Sequence, residues 1–360
     1  MRRTRGAIAA VLCAWLAACG APGEAVPGTA SADPSSGASV PSGAPVPSGS
    51  SVSSGASSPV ASSVEASLPA DVPAAAASSP AAGDDPPDAG DGPLPPPFTD
   101  DESMVWIPAG DHRVPGTLAL PDASPGRSVP AVLLLHGDLS SRDENGDMFA
   151  RLAAALAARG IASLRIDFAG TGDSEEPDLS LDYPNMVFDA TSSLDYLRQV
   201  TGVDPAEVGI LGLSRGGGIG ATVTGTVPGV AAFVSWSGAV YDGYDEDPDG
   251  HDEAREDGYV PVDLGDRVFR LGLNWFDTIE QSHPLQDVSG YTGPVLAVVG
   301  SDDDVVDPEV STVFLQTVAS TDTTLHVVEG ADHGFTADEA YGDEAIRVTT
   351  DWLVSRLGAG

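Results

Sequence analysis

The sequence predicts an α/β fold: a mostly parallel, doubly wound sheet carrying a small cap insertion. Three features of the 360-residue chain support this expectation. From about Thr99 onward, short runs of branched aliphatic residues alternate with helical patterns, the rhythm of parallel strands joined by right-handed helical crossovers. Before that point, residues 20–98 are mostly Ala, Pro, Ser and Gly, with Phe98 as their only aromatic residue, too little apolar surface to form a core. The rhythm breaks once, over about residues 239–285, an acidic stretch rich in Gly and Tyr with no clear buried strand. It is read as an insertion covering the carboxyl edge of the sheet, where ligands of open α/β sheets bind.

The elements follow in order. Met1 to Cys19 carries Arg2, Arg3 and Arg5 ahead of an apolar run from Ala7 to Ala18, too short to span a bilayer and shaped like an export signal. Its end, Leu16-Ala17-Ala18-Cys19, resembles the bacterial lipobox, in which the cysteine is lipidated and becomes the mature N-terminus; an ordinary signal peptide cut at nearby small residues is the alternative. A lipidated Cys19 predicts an extracytoplasmic protein anchored to a bacterial membrane. Residues 20–98 then form a tether spanning on the order of 50 Å, or a cell-wall-spanning or glycosylated stalk of the same composition. The two cysteines are Cys13 inside the apolar run and Cys19 at its end, so the exported chain holds no internal disulfide.

In the part that folds, Met104–Ile107 and Val114–Leu120 predict an antiparallel opening hairpin. Val129–Leu135 is apolar throughout, as in a strand buried on both faces. Phe149, Leu152 and Leu156 share a helical face that stops at Gly160. Ile161–Ile166 is the next strand, and Pro184 opens a helix presenting Val187, Ala190, Leu194 and Leu197 on one side. Val208–Leu213, Val230–Trp236, Pro294–Val299 and Thr324–Val328 continue the sheet. Arg215–Val223 reads as a helix softened by Gly216 to Gly218, and a last helix covers about Asp338–Leu357.

Charge narrows the function classes. The chain has 54 acidic and 16 basic residues, a net charge of −38, and every basic residue is Arg. No segment after the signal is basic, which argues against nucleic-acid binding, since that needs cations to displace phosphate counterions. Charge-driven adsorption to anionic lipid is disfavoured for the same reason, so any membrane contact is expected through the lipid anchor alone. The expected partner is a small-molecule substrate.

Chemistry concentrates at the ends of the strands. Gly212-Leu213-Ser214-Arg215-Gly216 fits G-x-S-x-G, a sharp turn that presents a serine between a strand and a helix. The pattern gains weight from that context, because Gly37-Ala38-Ser39-Val40-Pro41 in the tether misses it by one residue. A serine hydroxyl needs a base, and the base needs a carboxylate to orient it. His333 lies in Gly330-Ala331-Asp332-His333-Gly334-Phe335 after the last core strand and is the base of choice among six histidines. His326 lies within a strand, His112, His251 and His283 lack such placement, and His136 is expected to order the loop it opens. The carboxylate should follow the preceding strand, where Asp303 is preferred and Asp302 is the alternative. The backbone N–H groups of Asp138 and Arg215 are expected to hold a developing oxyanion, with the Asp138 carboxylate pointing away from it.

A second pattern lies in the insertion. Asp245, Asp247, Asp249 and, after Gly250, Glu256 match the spacing of a calcium loop, D-x-D-x-D-G-x5-E. A solvated acidic loop is the alternative, and otherwise no metal or cofactor is expected.

Leu135-His136-Gly137, Arg165-Ile166-Asp167-Phe168 with Gly170-Thr171-Gly172-Asp173-Ser174, Gly212 to Gly217, and Gly330 to Phe335 together resemble, in order and spacing, the α/β-hydrolase superfamily. The similarity is to its serine aminopeptidase-like and cinnamoyl (feruloyl) esterase-like branch, and Asn274 to Pro284 resembles the end of that branch's small cap. Asp138 stands where that branch commonly has an apolar residue. The resemblance implies that residues 99–360 form an α/β-hydrolase domain that cleaves a carboxylic ester of a small or medium acyl group. Ser214 would be the nucleophile, His333 the proton shuttle and Asp303 its orienter, without a cofactor. An acidic cap suits a peptide amino terminus, so a serine aminopeptidase stands beside the esterase, as does a thioesterase with the same triad. A catalytically inert hydrolase-fold binding module is the remaining alternative, because a fold alone does not establish activity.

Overall fold

The computed structural model describes residues 94, 97–98, 102–121, 127–243, 247–265 and 267–358. The export signal, Cys19, nearly all of the tether and Asp245 of the calcium pattern lie outside them. The chain opens with an antiparallel hairpin, β1 (Glu102–Ala109) and β2 (His112–Ala119). There follow β3 (Val129–Leu135), α1 (Met148–Ala158), β4 (Ala162–Ile166), α2 (Tyr183–Gln199), β5 (Val203–Leu213), α3 (Arg215–Thr226) and β6 (Phe233–Trp236). The insertion supplies α4 (Pro248–Asp257), β7 (Tyr259–Asp263), β8 (Val268–Gly272), α5 (Leu273–Glu280) and α6 (Pro284–Val288). The fold closes with β9 (Val295–Gly300), α7 (Glu309–Thr317), β10 (Thr323–Val328) and α8 (Glu339–Arg356).

Eight strands form one sheet in the order β1-β2-β4-β3-β5-β6-β9-β10. All pairs from β4 to β10 are parallel, and only the β1–β2 and β2–β4 pairs are antiparallel. The expected mostly parallel α/β sheet is therefore present. Strand β3 shows why it forms: Leu133 and Leu135 join the apolar cluster on the α2 and α3 face, while Val132 and Leu134 join the cluster beneath α1 and α8. A strand with no solvated face has no use for polar alternation. Upstream contacts begin slightly before Thr99, since Leu94 packs on the α1–α8 cluster and the Arg165 guanidinium lies 5.9 Å from the Phe98 ring.

Three departures from the sequence reading have physical causes. β5 starts at Val203 rather than Val208, because Val129 pairs with Val203 across an irregularity in register that the apolar pattern does not reveal. Helix α7 was not anticipated, as only Ser311 and Phe314 in it are buried. The insertion contains a two-stranded sheet, β7 and β8, where no clear strand was expected. Its signal is the alternation that buries Val260, Val262, Phe269 and Leu271 while the intervening side chains face outward.

The insertion touches the loops that leave the carboxyl ends of β3 and β4. The Trp275 indole donates to Asp138 at 3.3 Å, and the Arg270 N–H donates to Asp178 at 3.0 Å. Those loops are themselves tied to the sheet by ion pairs. Arg142 pairs with Asp167 and Asp173, and the buried Arg165 pairs with Glu102 and Asp143. The fully buried Asp189 on α2 accepts the Ala169 N–H at 2.8 Å and His112 Nε2 at 2.7 Å.

Burial alone would lower the pKa of His112, but the hydrogen bond and charge of Asp189 overcome it and hold the imidazole above its ordinary 6.5. Burial also pushes the Asp189 carboxyl up, against the Ala169 N–H and His112. Both groups hold a proton more tightly in the native chain than in the unfolded one, so linkage makes stability fall as pH rises. The His112 contribution is complete below pH 6.5 and is lost as pH climbs through the raised native value. Thermal midpoints measured from pH 6 to 9 should therefore fall more steeply for the wild type than for His112→Asn, and parallel curves would refute the coupling.

Candidate active site

Strand β5 runs directly into α3, and the junction residue, Ser214, has φ 53° and ψ −121°, a conformation that a residue with a side chain holds only under strain. Close approach enforces it. A Cβ on Gly212 would lie 2.1 Å from the Gly216 carbonyl oxygen, and one on Gly216 would lie 2.0 Å from that of Leu135. The Ser214 N–H donates to the Trp236 carbonyl at 2.9 Å, and the Ser214 carbonyl accepts from Gly217 and Ala239 at 2.9 Å each. The turn is thus fixed from three neighbouring segments, at the N-terminus of a helix whose dipole favours negative charge there.

The loops after β9 and β10 lie against each other. A Cβ on Gly300 would come 2.2 Å from the Ala331 carbonyl oxygen, and the Asp302 N–H donates to that carbonyl at 3.0 Å. Within this junction His333 Nδ1 sits 3.0 and 2.9 Å from the two carboxylate oxygens of Asp303. Asp303 Oδ1 also accepts the N–H groups of Val305 and Val306, at 3.0 and 2.9 Å. Both residues are buried. Asp302, the alternative carboxylate, is exposed and accepts the Ser301 hydroxyl. A proton on Nδ1, which this carboxylate contact requires, makes Nε2 the acceptor of the ring. Ser214 is linked to the same edge through Trp236, whose ring meets Phe335 edge-on at 5.8 Å, two residues beyond His333.

The third loop follows β3. His136 is fully buried, its Nε2 accepts the Phe168 N–H at 3.2 Å, and its Nδ1 therefore donates to the Gly137 carbonyl at 2.6 Å. Gly137 backs onto the nucleophile turn: a Cβ there would lie 3.3 Å from Ser214 Cβ. The Asp138 carboxylate is turned to the buried Arg215 guanidinium, with Nε at 3.0 Å, and to the Trp275 indole. Glu144, not singled out in the sequence, accepts the Gly137 N–H at 2.8 Å, and its burial and positive φ mark it apart from other polar loop residues.

The remaining histidines sit elsewhere. His326 pairs with Glu344, and His251 bonds Asp277 and stacks on Phe276 within the insertion. His283 is exposed before α6. The calcium pattern falls on α4 rather than on a loop: Asp247 caps that helix by accepting the Gly250 N–H, while Asp249 and Glu256 lie along it. Seven residues apart on a helix, they are separated by about 10 Å of rise. Among the described residues no group of three or more His, Cys, Asp or Glu is gathered as for a metal.

A groove of about 600 Å³ flanks α2, α3 and α6, lined by Tyr183, Val187, Phe188, Thr222, His283 and Asp287 among others. The Tyr183 hydroxyl lies 3.2 Å from the Gly218 carbonyl and 2.8 Å from Thr222 Oγ1, and burial pushes the phenol up to about 12.

A family model described as the alpha/beta hydrolase family matches residues 132–347. The chain belongs to the α/β-hydrolase family. None of the curated proteins matches it in sequence. Among solved structures it is similar to Est1E from Butyrivibrio proteoclasticus, solved with ferulic acid bound, at 19% identity and a TM-score of 0.58 over 71% of this chain and 99% of that one. An esterase domain of a Rhodothermus marinus protein is similar at 21% identity and a TM-score of 0.54, over 71% of this chain and 99% of that chain. The monoacylglycerol lipase of Paleococcus ferrophilus is similar at 19% and 0.53, over 68% and 99%. At these identities the likeness is one of fold.

Because a Cβ on Gly216 would lie 2.0 Å from the Leu135 carbonyl oxygen, Gly216→Ala should destabilise the protein by about 3 kcal/mol through overpacking. Denaturant unfolding measures it, and a loss below about 1 kcal/mol would show that the turn can relax.

Proposed function

We propose that this α/β hydrolase is a serine esterase that cleaves carboxylic esters of small to medium acyl groups through an acyl-enzyme. Ser214 Oγ attacks the ester carbonyl while His333 Nε2 takes its proton, and Asp303 orients the ring and stabilises the imidazolium. The tetrahedral intermediate collapses as the alcohol leaves with the proton from His333. Water, activated by the same ring, then releases the acid and restores Ser214. The N–H groups of Asp138 and Arg215 hold the oxyanion. The observation that carries this reading is the buried His333–Asp303 contact at 2.9 and 3.0 Å, in a chain that also holds the strained turn at Ser214. The pairing of the Asp138 carboxylate with Arg215 supports it, because an unpaired carboxylate there would oppose the developing charge.

One observation favours a second reading. Helix α4 carries Asp249, Asp252, Glu253, Glu256 and Asp257 on the insertion, an environment suited to a substrate amino terminus, as in a serine aminopeptidase. The proposed setting is extracytoplasmic, with Cys19 lipidated and residues 20–98 as the tether.

Labelling of the full chain with a fluorophosphonate probe tests the nucleophile without a guess about substrate. Wild type should label, and Ser214→Ala and His333→Ala should not; a well-folded wild type that stays unlabelled would overturn the serine mechanism. Asp303→Asn should lower kcat about 10⁴-fold with little change in fold. Esters should exceed amino-acyl amides in kcat/KM, and the reverse preference, lost on blocking the amine, would favour the aminopeptidase.

A further inference from the structure

Glu144 combines two unfavourable features. Its backbone has φ 60° and ψ 169°, a region essentially reserved for glycine and costing about 1–3 kcal/mol otherwise. Its carboxylate is also buried, at 6% residue exposure, where a charge is tolerated only if well bonded. The bonds are present. Oε2 accepts the Gly137 N–H at 2.8 Å, and Oε1 accepts the Ser140 hydroxyl at 2.6 Å and the Asn145 N–H at 3.1 Å. Glycine would fit this backbone without strain, so what the glutamate adds is its carboxylate.

The target of that carboxylate is informative. Gly137 lacks a side chain to fix it, and the two peptide planes on either side of its α-carbon would swing independently. His136 Nδ1 holds the Gly137 carbonyl at 2.6 Å, and because the peptide is planar this also orients the N–H of Asp138 on the same plane. Glu144 holds the preceding plane through the Gly137 N–H. With both planes fixed, the loop is set against Ser214, whose Cβ lies 3.3 Å from where a Gly137 Cβ would be.

We propose that Glu144 is a positioning residue for the oxyanion loop: its carboxylate anchors Gly137 so that the Asp138 N–H meets the charge developing on the substrate carbonyl. This role rests on the serine-hydrolase reading above. Glu144→Gly keeps the backbone conformation and removes the carboxylate, whereas Glu144→Gln keeps the shape and one acceptor for Gly137. In the full chain, Glu144→Gly should lower kcat roughly 10- to 1,000-fold, the range for a lost oxyanion donor, with KM nearly unchanged. Affinity for a boronic-acid analogue of the tetrahedral intermediate should fall in proportion, the thermal midpoint should not drop, and Glu144→Gln should recover part of kcat.

A folded Glu144→Gly variant with wild-type kcat, or one that loses kcat while binding the boronic acid as tightly as wild type, overturns the role. If Glu144→Gly does not fold, Glu144→Asn, which tolerates a positive φ and is one methylene too short to hold the Gly137 N–H, decides by the same pair of measurements, and wild-type values in both overturn the role. A wild type that neither labels with fluorophosphonate nor turns over esters or amides overturns the hydrolase reading itself, a result distinct from an active wild type matched by its variant.

Discussion

A helix can start in the same residue at which a buried strand ends only if nothing stands between their backbones. Gly212 and Gly216 meet that condition, with neighbouring carbonyl oxygens about where side chains would begin. Because α3 is pressed onto the ends of β3 and β5, Ser214 is forced to a positive φ and Arg215 becomes the first residue of a helix. The same approach brings Gly137 against the serine. The loops carrying Asp303 and His333 obey an equivalent constraint at Gly300, where β9 and the turn after β10 share almost the same space. Close backbone contact, rather than long side-chain networks, joins Leu135 to Gly216 and Gly300 to Ala331 across wide separations in the chain.

The framework was legible in the sequence because the strands that matter are buried on both faces. Val129–Leu135 could be read to the residue, since an apolar run of that length with Pro130 near its start and Gly137 after it is short for a helix. Ser214 and Asp303 could be picked out because each lies just past such a run, whereas His333 follows the half-exposed strand β10 and was marked by its loop of small and acidic residues. The choice of Asp303 over Asp302 rested on spacing alone, and the two differ in the structure by burial and by which one meets His333.

What escaped the sequence had weak or misleading local patterns. Helix α7 buries too little to show a stripe, and the β7–β8 hairpin alternates over only five residues in each strand amid acidic neighbours. The run of acids after Asp247 did not reveal that Pro248 opens a helix capped by Asp247, with Asp249 and Glu256 along it. Glu144 carried no pattern at all, because its distinction lies in a backbone angle and in burial, neither of which a single letter encodes.

The bond from the Trp275 indole to the Asp138 carboxylate has an evolutionary and engineering implication. It joins the insertion to a residue next to Gly137, which backs onto the serine turn, and Arg215 shares the same carboxylate. Replacing the insertion to admit a different ligand would remove a partner from that carboxylate. Breadth of ligand choice and fidelity of the turn therefore vary together, and a grafted insertion would have to bring its own donor for Asp138 or evolve with an apolar residue in its place.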